Sequence, residues 1–436
     1  MKEKRNVLYK TIMSIVVAMM LMFSVAIPAF ADDPYAKGTE SEPADAAITK
    51  RLVMPEETIT PSIMFEFVIA KKGLDGKSDP ADLDAMPGIP NKEVSFTSAD
   101  AGDIADEIKT INKETGHLFE GISFDRAGVY EYTVTELTTT FTNSFEEKVT
   151  FTSAVYDIVV YVDNKADGSG VYILAIGAYI VVNDESNEDE PVGSKVDPTP
   201  GDMTIEVGDY SEMIFTNYYL KNNGGTEPDD TVLALSKVVT GMAANQEKYF
   251  PFSVTASNPV TVVDNPSDPA TTYKAYVYDG TSLVDDLSDY LNTAAANIGT
   301  DDEGRDYIIF ENGSPVTVNL KHGQWLSFID LPVGAGYVIT ESAVADYTAS
   351  YILSLDGVTS TEKSNLDSNE ELSTGARKIA DVTAAASAAF SNAYKTITPG
   401  GISVDNLPYY VIAGLALLAL FGFVAFKSRK RASNIA

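Results

Sequence analysis

Twice along this chain a lysine, a glutamate and an asparagine, in that order, fall on the apolar faces of segments patterned as β-strands. Side chains two apart on a strand share a face. Lys50 lies between Ile48 and Leu52, Glu136 follows Tyr132 and Val134, and Asn217 lies between Phe215 and Tyr219. In the second set Lys237 lies between Leu235 and Val239, Glu341 follows Tyr337 and Ile339, and Asn392 lies between Phe390 and Tyr394. An ammonium, a carboxylate and an amide aimed into one core are costly to bury unless they satisfy one another. If they do, strands far apart in sequence meet at one buried point, and do so twice.

The chemistry of such a trio follows from its burial. Desolvation disfavours charge, lowering the lysine pKa and raising that of the glutamate. A neutral amine is a nucleophile, and a protonated carboxyl polarises the amide carbonyl and passes protons to departing ammonia. The expected product is an amide between the Lys50 and Asn217 side chains guided by Glu136, and a second between Lys237 and Asn392 guided by Glu341. The competing reading is three unrelated polar residues on exposed strand faces, repeated by chance. Each bond would tie the start of a module to its end, so tension would largely bypass the residues between. The loop-entropy model for disulfides, applied to loops of more than 100 residues, gives about 5 kcal/mol per crosslink, comparable with the whole stability of an ordinary domain.

Disulfides are excluded, because the chain has no cysteine, so any covalent brace must come from other chemistry. His117 and His322 are too far apart in sequence to suggest a His-rich metal site. No cofactor or metal is expected, and no Gly-rich phosphate loop or Ser/His/Asp grouping is present. Asp163–Gly168 carries Lys165 at a calcium-loop ligand position and no terminal Glu, so it reads as a hairpin turn. Trp325 reads as core.

Acidic residues outnumber basic ones 63 to 31, for a formal charge of −32. Much of the basic charge sits at the two ends, so the body between them should repel nucleic acid. Residues 1–31 read as a secretory signal: Lys2, Lys4, Arg5 and Lys10, then the apolar run Ile12–Ile27, then the small-x-small site Ala29-Phe30-Ala31. The run is short for a membrane anchor, which is the alternative. The other end holds Ile397-Thr398-Pro399-Gly400-Gly401, the apolar run Leu407–Phe426 and the basic cluster Lys427–Arg431. That run matches one bilayer core in length, and the basic cluster should stay cytoplasmic. A glycolipid-anchor signal normally lacks such a basic stop.

Between these ends the patterning is all-β, with Gly/Pro turns, and points to two tandem β-sandwiches. The first module is placed at 47–220, a linker around Asn222–Pro228 within 221–230, and the second module at 231–395. Residues 32–46 read as a flexible lead-in and 183–202 as an exposed acidic loop. Leu283, Leu287, Tyr290 and Leu291 follow helical spacing, and the Ala-rich stretch Ile379–Phe390 suggests a second short helix.

At the residues of the two trios the chain resembles the pilin backbone subunits of Gram-positive bacteria. The first module resembles the streptococcal-type isopeptide-linkage domain through Ile48-Thr49-Lys50-Arg51-Leu52, through Phe124–Glu136 and through Phe215-Thr216-Asn217-Tyr218. The second resembles a collagen-adhesin B-type, Ig-like sandwich through Leu235–Val239, Leu331–Gly334, Tyr337–Glu341 and Phe390-Ser391-Asn392. The resemblance implies a wall-displayed fimbrial shaft subunit that is not a turnover enzyme. Its implied partners are a sortase, other pilin subunits and peptidoglycan, and it would touch the membrane only through its C-terminal segment before sorting. It further implies that residues 397–436 are a sorting signal, cut between Gly400 and Gly401, although Gly400 stands where the usual pattern has Thr. By the same analogy an acceptor lysine for polymerisation lies near the end of the first module, Lys195 first and Lys165 second. A non-polymerised surface adhesin with a host or neighbouring-cell ligand is the alternative.

Overall fold

A computed structural model of the chain describes residues 35–184, 190–201, 209–260, 272–287, 290, 297–355, 357–365 and 370–395. The signal, the sorting motif Ile397–Gly401 and the apolar run Leu407–Phe426 lie outside these residues. Among the described residues no helix is long and apolar enough to cross a membrane.

The first module packs two sheets face to face. One runs in the order Ala36–Lys37, Val171–Val182, Val155–Asn164, Gly128–Glu136, Ile63–Leu74 and Lys92–Phe96. The other runs Asp103–Ala105, Ile108–Glu114, Thr49–Pro55, Ile214–Lys221 and Glu147–Thr150. Alternating burial along Val155–Asn164 and Ile63–Leu74 shows why these segments are strands: every second side chain enters the core. Phe65, Phe67, Tyr132, Tyr156 and Phe215 fill that core.

The second module repeats the plan. Its larger sheet runs Ile298–Thr300, Asp306–Glu311, Thr272–Asp279, Gln324–Phe328, Leu233–Thr240, Ala386–Tyr394, Tyr347–Leu355 and Val358–Thr359. Val316–Leu320, Phe250–Ser257, Gly336–Glu341 and Leu372–Ser373 form the facing sheet. Trp325 is buried; it stacks on Tyr278 at 4.3 Å and donates to the Gly280 carbonyl. Asp163–Gly168 spans the end of Val155–Asn164 and the turn that follows it in an antiparallel hairpin.

In each module the first core strand and the last lie side by side and run parallel. Thr49–Pro55 pairs with Ile214–Lys221, and Leu233–Thr240 pairs with Ala386–Tyr394. Parallel neighbours need a long crossover, and here the rest of the module is that crossover.

Several sequence expectations fail locally. The Ala-rich stretch is not a helix. Ala386–Tyr394 is a strand between Leu233–Thr240 and Tyr347–Leu355, with Ala386 to Phe390 all buried. Alanine favours helices, but small side chains are what a strand crowded from both sides accommodates, and the ladder wins. Leu283 sits in a short strand, Ser282–Leu283, paired with Tyr278 and Asp279, so the helical spacing there is not realised as read. Leu291 lies outside the described residues. A one-turn helix, Pro80–Asp84, was not anticipated. The lead-in is anchored: Ala36–Lys37 pairs with Ala175 and Ile176, and Ala44 and Ala46 are buried. The acidic loop contains a paired strand, Lys195–Val196, against Ala178 and Tyr179.

The linker is also held at its start. Asn222 bridges to Pro332, and the Asn223 side-chain amide donates to the Ala380 and Val382 carbonyls. Gly334 adopts φ +81°, and a Cβ there would lie 2.4 Å from the Cβ of Pro55, so only glycine lets the second module's turn sit on the first module.

Candidate functional site

The fold brings each sequence-predicted trio together. Lys50 and Asn217 come from the adjacent parallel strands, and Glu136 comes from the facing sheet. Lys50 is the strand partner of Phe215, two residues before Asn217. Lys237 is the partner of Phe390, two residues before Asn392. Each glutamate likewise opposes a phenylalanine on its own sheet, Glu136 with Phe67 and Glu341 with Phe252. These phenylalanines then meet across the sandwich: Phe67 and Phe215 at 5.0 Å, Phe252 and Phe390 at 5.2 Å. The modules therefore share one register of lysine, glutamate, asparagine and two bracing rings.

In the first pocket Lys50 Nζ lies 2.9 Å from Glu136 Oε1 and 3.1 Å from Oε2, with the two side chains 0% and 1% exposed. Asn217 Nδ2 donates to Glu136 Oε1 at 3.0 Å, so amine and amide converge on the same carboxyl oxygen. Phe65 lies under the amine, 4.6 Å from ring centre to Nζ. In the second pocket Lys237 Nζ lies 2.6 Å from Glu341 Oε1, and Asn392 Nδ2 donates to that oxygen at 2.7 Å. Both side chains of the Lys237–Glu341 pair are fully buried, with Phe250 4.4 Å from Nζ.

Burial brings the Lys50 amine down to about 8, against the opposing pull of the Glu136 carboxylate. It pushes the Glu136 carboxyl up, opposed by Lys50 and by the Asn217 amide. Burial likewise brings Lys237 to about 8, with Glu341 opposing. Both lysines are thus shifted toward the neutral form that attacks a carbonyl.

One contact has no side-chain signature in the sequence. The backbone N–H of Thr152 donates to Asn217 Oδ1 at 2.8 Å. The two lysines proposed by analogy lie away from both pockets. Lys195, half-buried, donates to the Tyr35 hydroxyl and lies 4.2 Å from that ring's centre. Lys165 occupies the hairpin turn, where its backbone N–H donates to the Gly170 carbonyl.

Residues 46–220, the stretch holding the first pocket, match the Spy0128-like isopeptide containing domain. The first module belongs to that family. This isopeptide module agrees with the likeness to pilin backbone subunits carried by its sequence motifs. Residues 231–394 match a domain of unknown function (DUF7601) rather than a named adhesin family. No curated protein matches this chain. Among solved structures, the major pilin from Streptococcus pyogenes is similar at 17% identity and a TM-score of 0.29, over 81% of this chain and 99% of that one. A point mutant of the same pilin is similar at 19% identity and a TM-score of 0.31, with the same coverage. A pilus-presented adhesin, Spy0125 (Cpa), is similar over 55% of this chain and 35% of that chain, at 17% identity and a TM-score of 0.21. The family assignment rests on the isopeptide module's own match.

Proposed function

We propose that the chain is a structural shaft subunit of a covalent surface fibre on a Gram-positive bacterium, with each of its two modules closed by its own Lys–Asn amide bond. The observation that supports this reading best is the recurrence, in one register, of a dry Lys–Glu–Asn pocket at the junction of first and last strands. In each pocket the neutral amine adds to the asparagine Cγ. The Cγ–Nδ2 bond then breaks, ammonia leaves with a proton surrendered by the amine, and the glutamate that relays it ends as it began. The product is neutral, so the cost of keeping two charges dry is removed.

Export by the 1–31 signal, sorting at Ile397–Gly401 by a sortase and linkage through Lys195 or Lys165 to the next subunit complete the proposal. The sorted chain would join other copies of itself or peptidoglycan. The first test is the intact mass of the folded 32–396 region. The reading requires the loss of one ammonia per module, and an unmodified mass overturns it. Polymerisation is tested separately, by a ladder of covalent oligomers released on wall digestion.

A further inference from the structure

The two pockets treat the carbonyl oxygen of the reacting amide differently. Asn217 Oδ1 accepts the Thr152 N–H at 2.8 Å. That N–H belongs to the segment between Glu147–Thr150 and Val155–Asn164, which is pinned by one carboxyl oxygen: Asp184 Oδ2 accepts both the Thr152 hydroxyl and the Ser153 N–H, the latter at 2.7 Å. Asp184 itself sits two residues beyond the end of the Val171–Val182 strand. In the second pocket Asn392 Oδ1 and Glu341 Oε2 are both buried with no hydrogen-bond partner among the described residues.

Attack on an amide carbon drives negative charge onto its oxygen. A donor already aimed at that oxygen in a dry site lowers the barrier, and removing one such donor costs about 10²–10³ in rate. We propose that the Thr152 N–H is a built-in oxyanion donor for closure of the Lys50–Asn217 bond, that Asp184 is the residue positioning it, and that the first module therefore closes before the second. The inference rests on the crosslinking reading above. In the first pocket Glu136 is left free for proton transfer while Thr152 meets the charge on Oδ1. In the second, the Glu341 carboxyl must do both: donate to Asn392 Oδ1 and carry the proton from Lys237 to the departing ammonia.

The test follows both bonds in one chain. Unreacted chain held in denaturant is diluted into folding buffer, quenched with acid at intervals and digested. The two crosslinked peptides are then quantified by mass spectrometry. The expected result is that the 50–217 peptide accumulates about tenfold or more ahead of the 237–392 peptide. Asp184→Ala and Thr152→Val, which remove the tie from either side, should slow 50–217 closure by a similar factor. The 237–392 rate should stay unchanged and report that the chain has folded. Asp184→Asn, which keeps an acceptor oxygen, and Thr152→Ser, which keeps the hydroxyl, should retain most of the rate. Equal closure of the two bonds in the parent chain overturns the inference and leaves the crosslinks standing. So does a parent-like 50–217 rate in Asp184→Ala, or a Thr152→Ser variant as slow as Thr152→Val. Absence of both peptides from the parent chain overturns the crosslinking reading as well.

Discussion

Asp381 of the second module accepts a hydrogen bond from the backbone N–H of Ile59 in the first, at 2.8 Å. Its other carboxyl oxygen takes the Lys221 ammonium, while Lys378 reaches Glu57 at 3.1 Å and Glu107 at 3.2 Å. The Asp381 side chain is 3% exposed and that of Lys221 32%. Asp381→Ala would remove the charged acceptor of the Ile59 N–H, a loss of about 1.5–3 kcal/mol at the junction. The expected outcome is faster proteolysis within 221–230 and a broader distance distribution in small-angle scattering, with both modules still folded. An unchanged scattering profile would show that the remaining contacts suffice.

Removing a reacting side chain should be costly in a specific way. Asn217→Ala should retain one ammonia loss, from the second module, and lower the stability of the first module by about 5 kcal/mol on the loop-entropy model. Differential scanning calorimetry should resolve this as an early transition, with the Lys237–Asn392 module little changed. Glu136→Ala should likewise lose a single ammonia, because without the proton carrier Lys50 and Asn217 stay unlinked.

Closure of the first bond should depend on pH with a plateau. The reactive pair, neutral Lys50 and protonated Glu136, carries the same number of protons as the ion pair, so the rate is flat between the two titrations. Above about pH 8 the last proton leaves, Glu136 stays a carboxylate and the rate falls. Below the raised Glu136 titration Lys50 is held as ammonium and the rate falls again. Asp184, the other acid acting on this pocket, favours proton retention on both groups and so moves both limbs upward. Crosslink yield at fixed times after dilution, across pH, measures this. A rate still rising well above pH 8 would show that the carboxyl's proton is not required.

Lys195 and Lys165 make opposite predictions for the oligomer ladder. Lys195 is held against Tyr35 in a paired strand, whereas Lys165 stands at a hairpin tip. Lys195→Ala should abolish the ladder and Lys165→Ala should leave it unchanged. The reverse pattern would assign the linkage to the tip.

The apolar faces of both trios were legible because strand alternation fixes which side chains share a core before any contact is known. What escaped was context. Ala386 to Phe390 look helical alone and are a strand because Leu235 and Leu353 flank Ala388 in register on either side. Ala36 and Ala44 look like a loose leader and are held at the edge of a sheet whose adjoining strand, Val171–Val182, lies far along the chain. The Thr152 donor is a backbone N–H, which every residue but proline possesses, so nothing in the sequence could single it out. Asp381 is one acid among many in a very acidic chain, and only the fold places it on Ile59 and Lys221.

The parallel pairing of first and last strands sends the chain into each module at one pole and out at the other. A pull on the ends therefore shears a whole ladder at once instead of unzipping it bond by bond. With Lys50 joined to Asn217 and Lys237 to Asn392, no contour length is hidden inside either module. The slack a stretched subunit can release between its bonds is confined to the stretch from Asn217 to Lys237, where Lys221 and Asn223 are clasped by the loop around Asp381. That clasp is the shock absorber of the proposed fibre, a weak reversible contact set in series between two covalent loops.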